Sequence, residues 1–211
     1  MPVPWNEDDL RDLPIIERNL GQLLGRLVRE SARRKLPTLK MMQQWHRSIF
    51  LGCNLPVSYY AGEIRDKDPA FPELIGYEVA IGAYRGVPSQ AVPDELTWFE
   101  NALQSAVARL DPVITAGEVP ANALQLRSVL TLCAQSHGEW VRIHPFANGN
   151  GRTARLWADW CALRYGLPPF IRLKPRPGDS GYGIAAAESM KGNHQGMMAV
   201  FADILERRLG G

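Results

Sequence analysis

The chain has 211 residues, 45% of them hydrophobic, which suits a single domain, or a domain with a small extension, around a buried core. It carries 24 basic and 22 acidic residues, so its net charge of +2 lacks the basic excess typical of nucleic-acid-binding domains. The three cysteines are odd in number and never spaced as C-x-x-C, which argues against a disulfide framework and a structural zinc site.

The first quarter of the chain predicts two amphipathic helices. The first begins near Pro14, and its apolar face is marked by residues three or four positions apart, Ile16, Leu20, Leu23 and Leu27. Thr38 predicts the N-cap of the second helix, and Gly52 predicts its end. The apolar side of that helix carries Met42, Trp45 and Ile49.

Residues 53–92 have a different composition, rich in proline, glycine and aromatic residues and without a sustained helical period. This pattern predicts a short hairpin around residues 58–66 and one helical turn near residues 76–84. Most of the remaining segment is expected to be irregular.

The second half of the chain predicts helices again. Asp94 is expected to cap one helix, and Pro120 fits the first turn of a long one. The last helical material is expected over 182–208. No internal repeat or long linker divides the chain.

Residues 144–155, His-Pro-Phe-Ala-Asn-Gly-Asn-Gly-Arg-Thr-Ala-Arg, form the most informative segment. A residue before proline favours extended backbone, so Pro145 predicts that the preceding helix ends near Ile143. Gly149 and Gly151 permit a backbone path on which successive N–H groups converge. The segment then enters a helix, whose unpaired N–H groups form a natural anion site.

Two arginines extend this anion site. Arg152 and Arg155 are three positions apart and therefore share one helical face. Both lie in a first turn, where the helix dipole disfavours cations, but a bound polyanion would reverse that preference. The alternative interpretation is a glycine-rich helix entry with two surface arginines.

The 144–155 segment resembles the signature of the Fic family, His-Pro-Phe-x-(Asp/Glu/Asn)-Gly-Asn-Gly-Arg-x-x-Arg, at every specified position. Residues 45–50 and 60–65 are similar to two further family segments, His-Arg-x-Leu-Phe and Ala-Gly-x-x-Arg. The resemblance covers about residues 36–208, which implies an N-terminal helical extension over 1–35 and a Fic domain over 36–211. It implies an all-α Fic fold, a helical bundle with a small β-hairpin flap over the active site. It also implies transfer of a nucleoside monophosphate, usually AMP from ATP, to a protein hydroxyl.

The resemblance implies a role for each motif position. His144 would be the general base that deprotonates a Ser, Thr or Tyr hydroxyl, since an imidazole with a pKa of about 6.5 suits that task. The catalytic set would also include Asn150, Arg152 and Arg155. The nucleotide phosphates would be bound by Asn148, Gly149, Asn150, Gly151, Arg152 and Arg155. Gly151 stands where the phosphorylating Doc branch carries lysine, which favours transfer of the nucleotide moiety.

A target-binding flap is also implied by the resemblance. It would contain Ala61, Gly62 and Arg65, the residues of the Ala-Gly-x-x-Arg segment. Gly62 would permit a tight hairpin whose main chain pairs with an extended target segment by strand addition. An ordinary turn with a salt-bridged arginine is the alternative at these positions.

Asn148 fills the position at which most transferases of the family carry an acid that holds Mg²⁺ between the phosphates. The resemblance thus implies ATP as co-substrate and Mg²⁺ with Asn148 as its protein ligand. A neutral amide oxygen can bind Mg²⁺, but without the Coulombic attraction of a carboxylate. Three outcomes stay open: transfer with weaker metal affinity, another phosphate-containing donor, or a catalytically weak nucleotide-binding or regulatory module.

The expected partner is a target protein with a modifiable hydroxyl, and neither nucleic acid nor a membrane. The basic stretch at 26–35 is interpreted as a solvated helix end. No apolar run approaches about 18 residues and no signal-peptide pattern is present, which predicts a cytoplasmic protein. Secretion as an effector without a cleavable signal is also compatible with this N-terminus.

The family's inhibitory pattern, (Ser/Thr)-x-x-x-Glu-(Gly/Asn), does not occur near either terminus. Control is therefore expected from a separate small antitoxin-like inhibitor, or not at all.

Overall fold

The computed structural model describes residues 3–5, 11–178 and 180–210. Within these ranges the chain forms seven α-helices: α1 Leu13–Glu30, α2 Leu39–Ile49, α3 Val92–Leu110, α4 Ala123–Ile143, α5 Asn150–Arg164, α6 Ser180–Ser189 and α7 Gln195–Gly210. One two-stranded antiparallel sheet pairs β1, Ala80–Ile81, with β2, Tyr84–Arg85. The predicted all-α fold with a small hairpin is confirmed.

Helices α4 and α5 form the centre of the bundle. Almost every side chain of α5 is buried, which is the pattern of a helix surrounded by protein on all sides. The rings of Phe99 on α3, Trp140 on α4 and Trp157 on α5 lie 5.3–5.9 Å apart, in tilted or edge-on contact. Since α4 and α5 are packed against each other and enclosed by the other helices, the loop that joins them is held at both ends.

Several helix boundaries agree with the sequence prediction. Helix α1 begins at Leu13 with Pro14 in its first turn, and α4 ends at Ile143. Thr38 caps α2, since its side-chain oxygen accepts a hydrogen bond of 3.2 Å from the Met41 N–H. The apolar face predicted for α1 is buried in the common core.

Two predicted helix starts are wrong. Helix α3 begins at Val92, so Asp94 lies in its first turn, where its carboxylate suits the helix dipole. Helix α4 begins after Pro120, and its cap is Asn122, whose side-chain oxygen accepts from the Gln125 N–H at 3.0 Å. In both places the sequence offers more than one residue suited to a helix start, so the helix is easier to predict than its first residue.

The predicted position of the hairpin is also wrong. Residues 58–60 form a 3₁₀ turn, and the strands lie at 80–85, where a helical turn was expected. Gly82 connects the strands with a φ of 58°, a left-handed conformation that glycine adopts without steric cost. The last helical material is divided into α6 and α7, and Gly192, with a φ of 85°, lies in the break between them.

No helix in the described part of the chain combines the length and the apolarity that a membrane crossing requires.

Replacing Thr38 with alanine should destabilise the protein by about 1 kcal/mol, because the first turn of α2 loses its side-chain cap. The free energy of unfolding in urea measures the change. Thr97→Ala is the matched control, because that exposed hydroxyl bonds only to the Pro93 carbonyl of its own helix. Equal stability of the two variants would contradict the assigned cap.

Candidate active site

The motif begins with an unusual backbone conformation at His144. This residue follows the last turn of α4, donates its N–H to the Trp140 carbonyl at 3.0 Å, and has φ 51° and ψ 60°. The expected extended conformation before Pro145 is therefore wrong, although the helix ends where predicted. A left-handed, non-glycine residue costs on the order of 1–3 kcal/mol, so the surrounding contacts must hold it in place.

The imidazole of His144 is oriented by the helix that it ends. Its Nδ1 faces the Val141 carbonyl, which can only accept a hydrogen bond. Nδ1 therefore carries the hydrogen, and the lone pair of Nε2 is left to accept a proton. Burial lowers the pKa of His144 to about 4, partly offset by the Val141 hydrogen bond, and the charge of Arg65 lowers it further. The ring is therefore neutral around pH 7.

The loop between α4 and α5 is braced from within by Asn150. Its side-chain oxygen accepts from the Phe146 N–H at 2.9 Å, and its NH₂ group donates to the Phe146 carbonyl at 2.8 Å. Both ends of the amide are thus occupied by the loop itself. The resemblance implies that this side chain binds phosphate, whereas in the structure it is hydrogen-bonded to the loop backbone.

His46 supports the same loop from α2. Its Nδ1 accepts from the Gly62 N–H at 2.8 Å, so Nε2 carries the hydrogen and donates to the Asn148 carbonyl at 3.0 Å. The ring stacks on Phe146 at 3.8 Å, nearly parallel. Burial lowers the pKa of His46 to about 3, so it stays neutral. Both hydrogen-bond partners of His46 are distant in the chain, so the sequence alone does not identify them.

The start of α5 leaves backbone N–H groups uncapped, as the predicted anion site requires. Gly149 is the N-cap residue, with φ 76°, and the Asn150 and Gly151 N–H groups have no acceptor in the described part of the chain. Arg152 lies over the Phe50 ring at 5.6 Å. Arg152 and Arg155 are only 4% and 6% exposed, so the alternative of two surface arginines is wrong.

Arg155 is held by the segment that follows α5. Its Nε and Nη2 both donate to the Leu173 carbonyl, at 3.1 and 2.7 Å, and its Nη1 donates to the Tyr182 hydroxyl at 3.3 Å. That hydroxyl is also hydrogen-bonded to Nε2 of His137 at 2.8 Å. Neither Leu173 nor Tyr182 carries a sequence signal for this role, because the contacts join residues far apart in the chain.

Both polar atoms of the Asn148 side-chain amide are hydrogen-bonded to the backbone. The oxygen accepts from the Gly149 N–H at 2.8 Å, and the NH₂ group donates to the Trp5 carbonyl at 2.7 Å. Around it, the described residues bring no three His, Cys, Asp or Glu side chains together. Mg²⁺ in nucleotide sites is usually held by a carboxylate and phosphate oxygens, and the Asn148 oxygen is neutral and already accepts from the Gly149 N–H, so it fits the role of a magnesium ligand poorly.

The predicted flap residues do not form a flap. Gly62 is buried, its N–H is bonded to His46, and its carbonyl accepts from Gln43 at 2.9 Å. A Cβ on Gly62 would lie 2.2 Å from the Arg47 side chain, so glycine is needed for this close approach to α2. Ala61 is half-buried, and Arg65 is fully buried. Their segment therefore cannot offer the Gly62 main chain to an added strand.

The hairpin that does lie beside His144 is β1–β2. The Gly86 N–H, just after β2, bonds to the Val79 carbonyl at 3.1 Å, and the next N–H bonds to the Arg142 carbonyl of α4 at 3.2 Å. A Cβ on Gly86 would lie 2.8 Å from Cβ of His144. The strands are mostly exposed, so the hairpin presents its edges to solvent next to the imidazole.

The fold agrees with the comparison with known families. The sequence model of the Fic/DOC family matches residues 36–162, more than half of the chain. This chain therefore belongs to the Fic/DOC family.

Individual relatives are similar over shorter segments. A uridine 5'-monophosphate transferase of Xanthomonas campestris pv. campestris is 37% identical over 94 residues, 42% of this chain and 17% of the relative. A protein adenylyltransferase Fic of Nematostella vectensis is 50% identical over 42 residues, 20% of this chain and 10% of the relative. The matched segments are thus a small part of both relatives.

Two solved structures share the fold. A Fic-domain-containing signaling protein from Bacteroides thetaiotaomicron superposes with a TM-score of 0.64 at 18% identity, covering 92% of this chain and 69% of that one. BepC of Bartonella tribocorum, an effector protein with bound AMPPNP, superposes with a TM-score of 0.59 at 16% identity, covering 96% and 92% of the two chains. At these identities the likeness concerns the fold alone.

The buried neutral histidines predict how stability depends on pH. The pKa is lowered to about 3 for His46 and His137 and to about 4 for His144, mainly by burial. An unfolded histidine titrates at about 6.5, so below that pH the unfolded chain binds more protons than the folded one. The free energy of unfolding should therefore fall as the pH drops below about 6.5, by roughly 2 kcal/mol per histidine at about pH 5.

One buried carboxyl group acts in the opposite direction. Burial raises the pKa of Asp159 to about 7, so protonation of Asp159 favours the folded state over the same interval. Asp159 offsets only part of the effect of the three histidines, so the free energy of unfolding should still fall by a few kcal/mol. Urea denaturation at about pH 7.5 and about pH 5 measures the difference. Stability that is level or higher at the lower pH would contradict the neutral, buried state of these histidines.

Proposed function

We propose that this chain transfers a nucleoside monophosphate from a nucleoside triphosphate to a Ser, Thr or Tyr hydroxyl of a target protein, with AMP from ATP as the first donor. The main supporting observation is the neutral His144 imidazole, with Nε2 left to accept a proton, six residues before a helix whose first two N–H groups have no acceptor in the described part of the chain. Names of relatives, protein adenylyltransferase and uridine 5'-monophosphate transferase, support the same reaction class. The AMPPNP bound to the structurally similar BepC supports a triphosphate donor.

In the proposed step, the target hydroxyl gives its proton to Nε2 of His144 while its oxygen attacks the α-phosphorus. A new P–O bond forms to the target, and the bond to the bridging oxygen of pyrophosphate breaks. The Asn150 and Gly151 N–H groups would face the phosphate oxygens, with Arg152 and Arg155 neutralising the departing pyrophosphate. The Asn150 side chain would act indirectly, by holding the loop through Phe146.

Arg155 has to change partners before it can bind phosphate. It now donates three hydrogen bonds, two to the Leu173 carbonyl and one to the Tyr182 hydroxyl. The Leu173 carbonyl is neutral, whereas a phosphate is an anion that attracts the guanidinium and can accept two parallel hydrogen bonds from it, so a phosphate can compete with a single carbonyl. We therefore infer that nucleotide binding displaces Leu173 from Arg155.

The target would bind along the β1–β2 hairpin rather than along the segment around Gly62. The hairpin is exposed and runs beside His144, so an extended target segment added to its edge would bring a hydroxyl near the base. Control by a separate small antitoxin-like inhibitor stays a prediction.

A second donor is favoured by a specific observation. The uridine 5'-monophosphate transferase matches a longer segment of this chain than the adenylyltransferase of Nematostella does. UTP is therefore the second donor to test. A nucleotide-binding module without transfer is the further alternative, since Asn148 replaces the usual acid.

The test is transfer of label from α-labelled ATP and UTP to proteins of a lysate. His144→Ala should lower the labelling by about 100-fold or more, because the general base is lost. His194→Ala is the matched control, because His194 pairs with Glu139 away from the motif. Label that survives His144→Ala would exclude the assigned base, and nucleotide binding without any labelling would favour the binding module.

Asn148→Asp should lower transfer rather than raise it. The carboxylate would keep the hydrogen bond from Gly149 but would set a second oxygen against the Trp5 carbonyl, where the amide now donates at 2.7 Å. The repulsion should cost about 1–3 kcal/mol in stability. Transfer and urea denaturation are measured with and without Mg²⁺. A strong Mg²⁺-dependent rise in transfer would instead identify position 148 as a metal ligand.

A further inference from the structure

Arg65 is fully buried and lies between the β1–β2 hairpin and the loop that joins α4 to α5. We propose that Arg65 is a positioning residue for His144, which fixes the left-handed cap that carries the base and ties this cap to the β1–β2 hairpin. The expected effect on kcat rests on the proposed function. The expected effect on the position and pKa of the His144 imidazole does not, and it can be tested without a substrate.

On one side, Arg65 holds the end of α4. Its Nε donates to the His144 carbonyl at 2.8 Å, and its Nη2 donates to the Ile143 carbonyl at 3.1 Å. Its main-chain N–H donates to the Pro145 carbonyl at 2.9 Å. Carbonyls at a helix C-terminus lack partners within the helix, and a cation is favoured there. Three consecutive carbonyls around the base are thus fixed by one residue.

On the other side, the same guanidinium holds the base of the hairpin. Its Nη1 donates to the Tyr77 carbonyl at 2.6 Å, and its Nη2 also donates to the Val87 carbonyl at 3.1 Å. Gly86 makes room for this arrangement, since a Cβ there would lie 2.8 Å from Cβ of His144 and 3.4 Å from Nη2 of Arg65. The guanidinium of Arg65 therefore connects the base of the hairpin to the end of α4.

The charge of Arg65 acts on the base as well. Burial lowers the pKa of Arg65 to about 10, which leaves it charged near neutral pH. Its carboxylate neighbour, Glu78, is 3.9 Å away and half exposed. Arg142, two residues before His144, is already paired with Glu95 and Glu139. Arg65 is therefore the charge that depresses the pKa of His144 after burial itself.

Two substitutions separate position from charge. Arg65→Lys keeps the charge but offers three donors on one nitrogen in place of a planar fork, so it cannot hold carbonyls on both sides. Arg65→Gln removes the charge. Arg164→Lys is the matched control, because Arg164 is also a buried arginine, bonded to Asp111 at 2.6 and 3.0 Å and to the Lys35 carbonyl, away from the base.

The first measurement is the NMR titration and tautomer of the His144 imidazole, without nucleotide. The wild type should show one tautomer, with the hydrogen on Nδ1. Arg65→Lys should keep the titration midpoint but mix the tautomers, and Arg65→Gln should move the midpoint to higher pH, because a neighbouring positive charge is lost. Arg164→Lys should lose stability and change neither.

The second measurement is kinetic. Arg65→Lys should lower kcat by about 10- to 100-fold with the KM for nucleotide unchanged, because a misplaced base slows the reaction without weakening phosphate binding. Where Arg65→Gln does not fold, Arg65→Lys decides. A folded Arg65→Lys with the tautomer and kcat of the wild type would overturn the proposal. A wild type without transfer, but with the expected NMR changes, would reject the proposed function and keep the role of Arg65.

Discussion

The left-handed backbone of His144 is the constraint on which the site depends. It turns the chain out of α4, places the imidazole against the helix end, and starts the loop that becomes the first turn of α5. A non-glycine residue holds this conformation only where the surroundings fix it. Here the packing of α4 on α5 fixes the two ends of the loop, and Arg65 fixes the carbonyls between them. The chemistry of one side chain therefore depends on contacts made by several distant segments.

The helices could be predicted from the sequence because their signals are local. Apolar spacing, the Thr38 cap and the proline after His144 act within a few residues of the element that they define. The hairpin could not be placed, since each strand has two residues and neither has a buried face to set an alternating pattern. The turn residue that marks the hairpin is Gly82, which is one of four glycines in residues 53–92 and is not distinguished from the others by the sequence.

The site residues divide in the same way. The motif marks His144 and the two arginines, but their partners come from elsewhere in the chain. Arg65 lies 79 positions before the carbonyl that it holds, and Leu173 lies 18 positions after Arg155. A family segment can indicate that such an arginine matters without indicating what it contacts. For that reason the resemblance implies a place for Arg65 in a target-binding flap, while the fold places it in the core.

The segment that follows α5 and carries Leu173 is anchored to α5 itself. Asp159, one turn after Arg155 on α5, accepts from the Phe170 and Ile171 N–H groups, each at 3.0 Å. The segment carrying Leu173 is thus anchored to α5 itself, and Arg155 is bonded to it two residues later. Moving the whole segment would break the bonds of a buried carboxyl group, which is costly. A phosphate bound as proposed would therefore reach Arg155 at lower cost by a local exchange at the Leu173 carbonyl, with the anchor at Asp159 left in place.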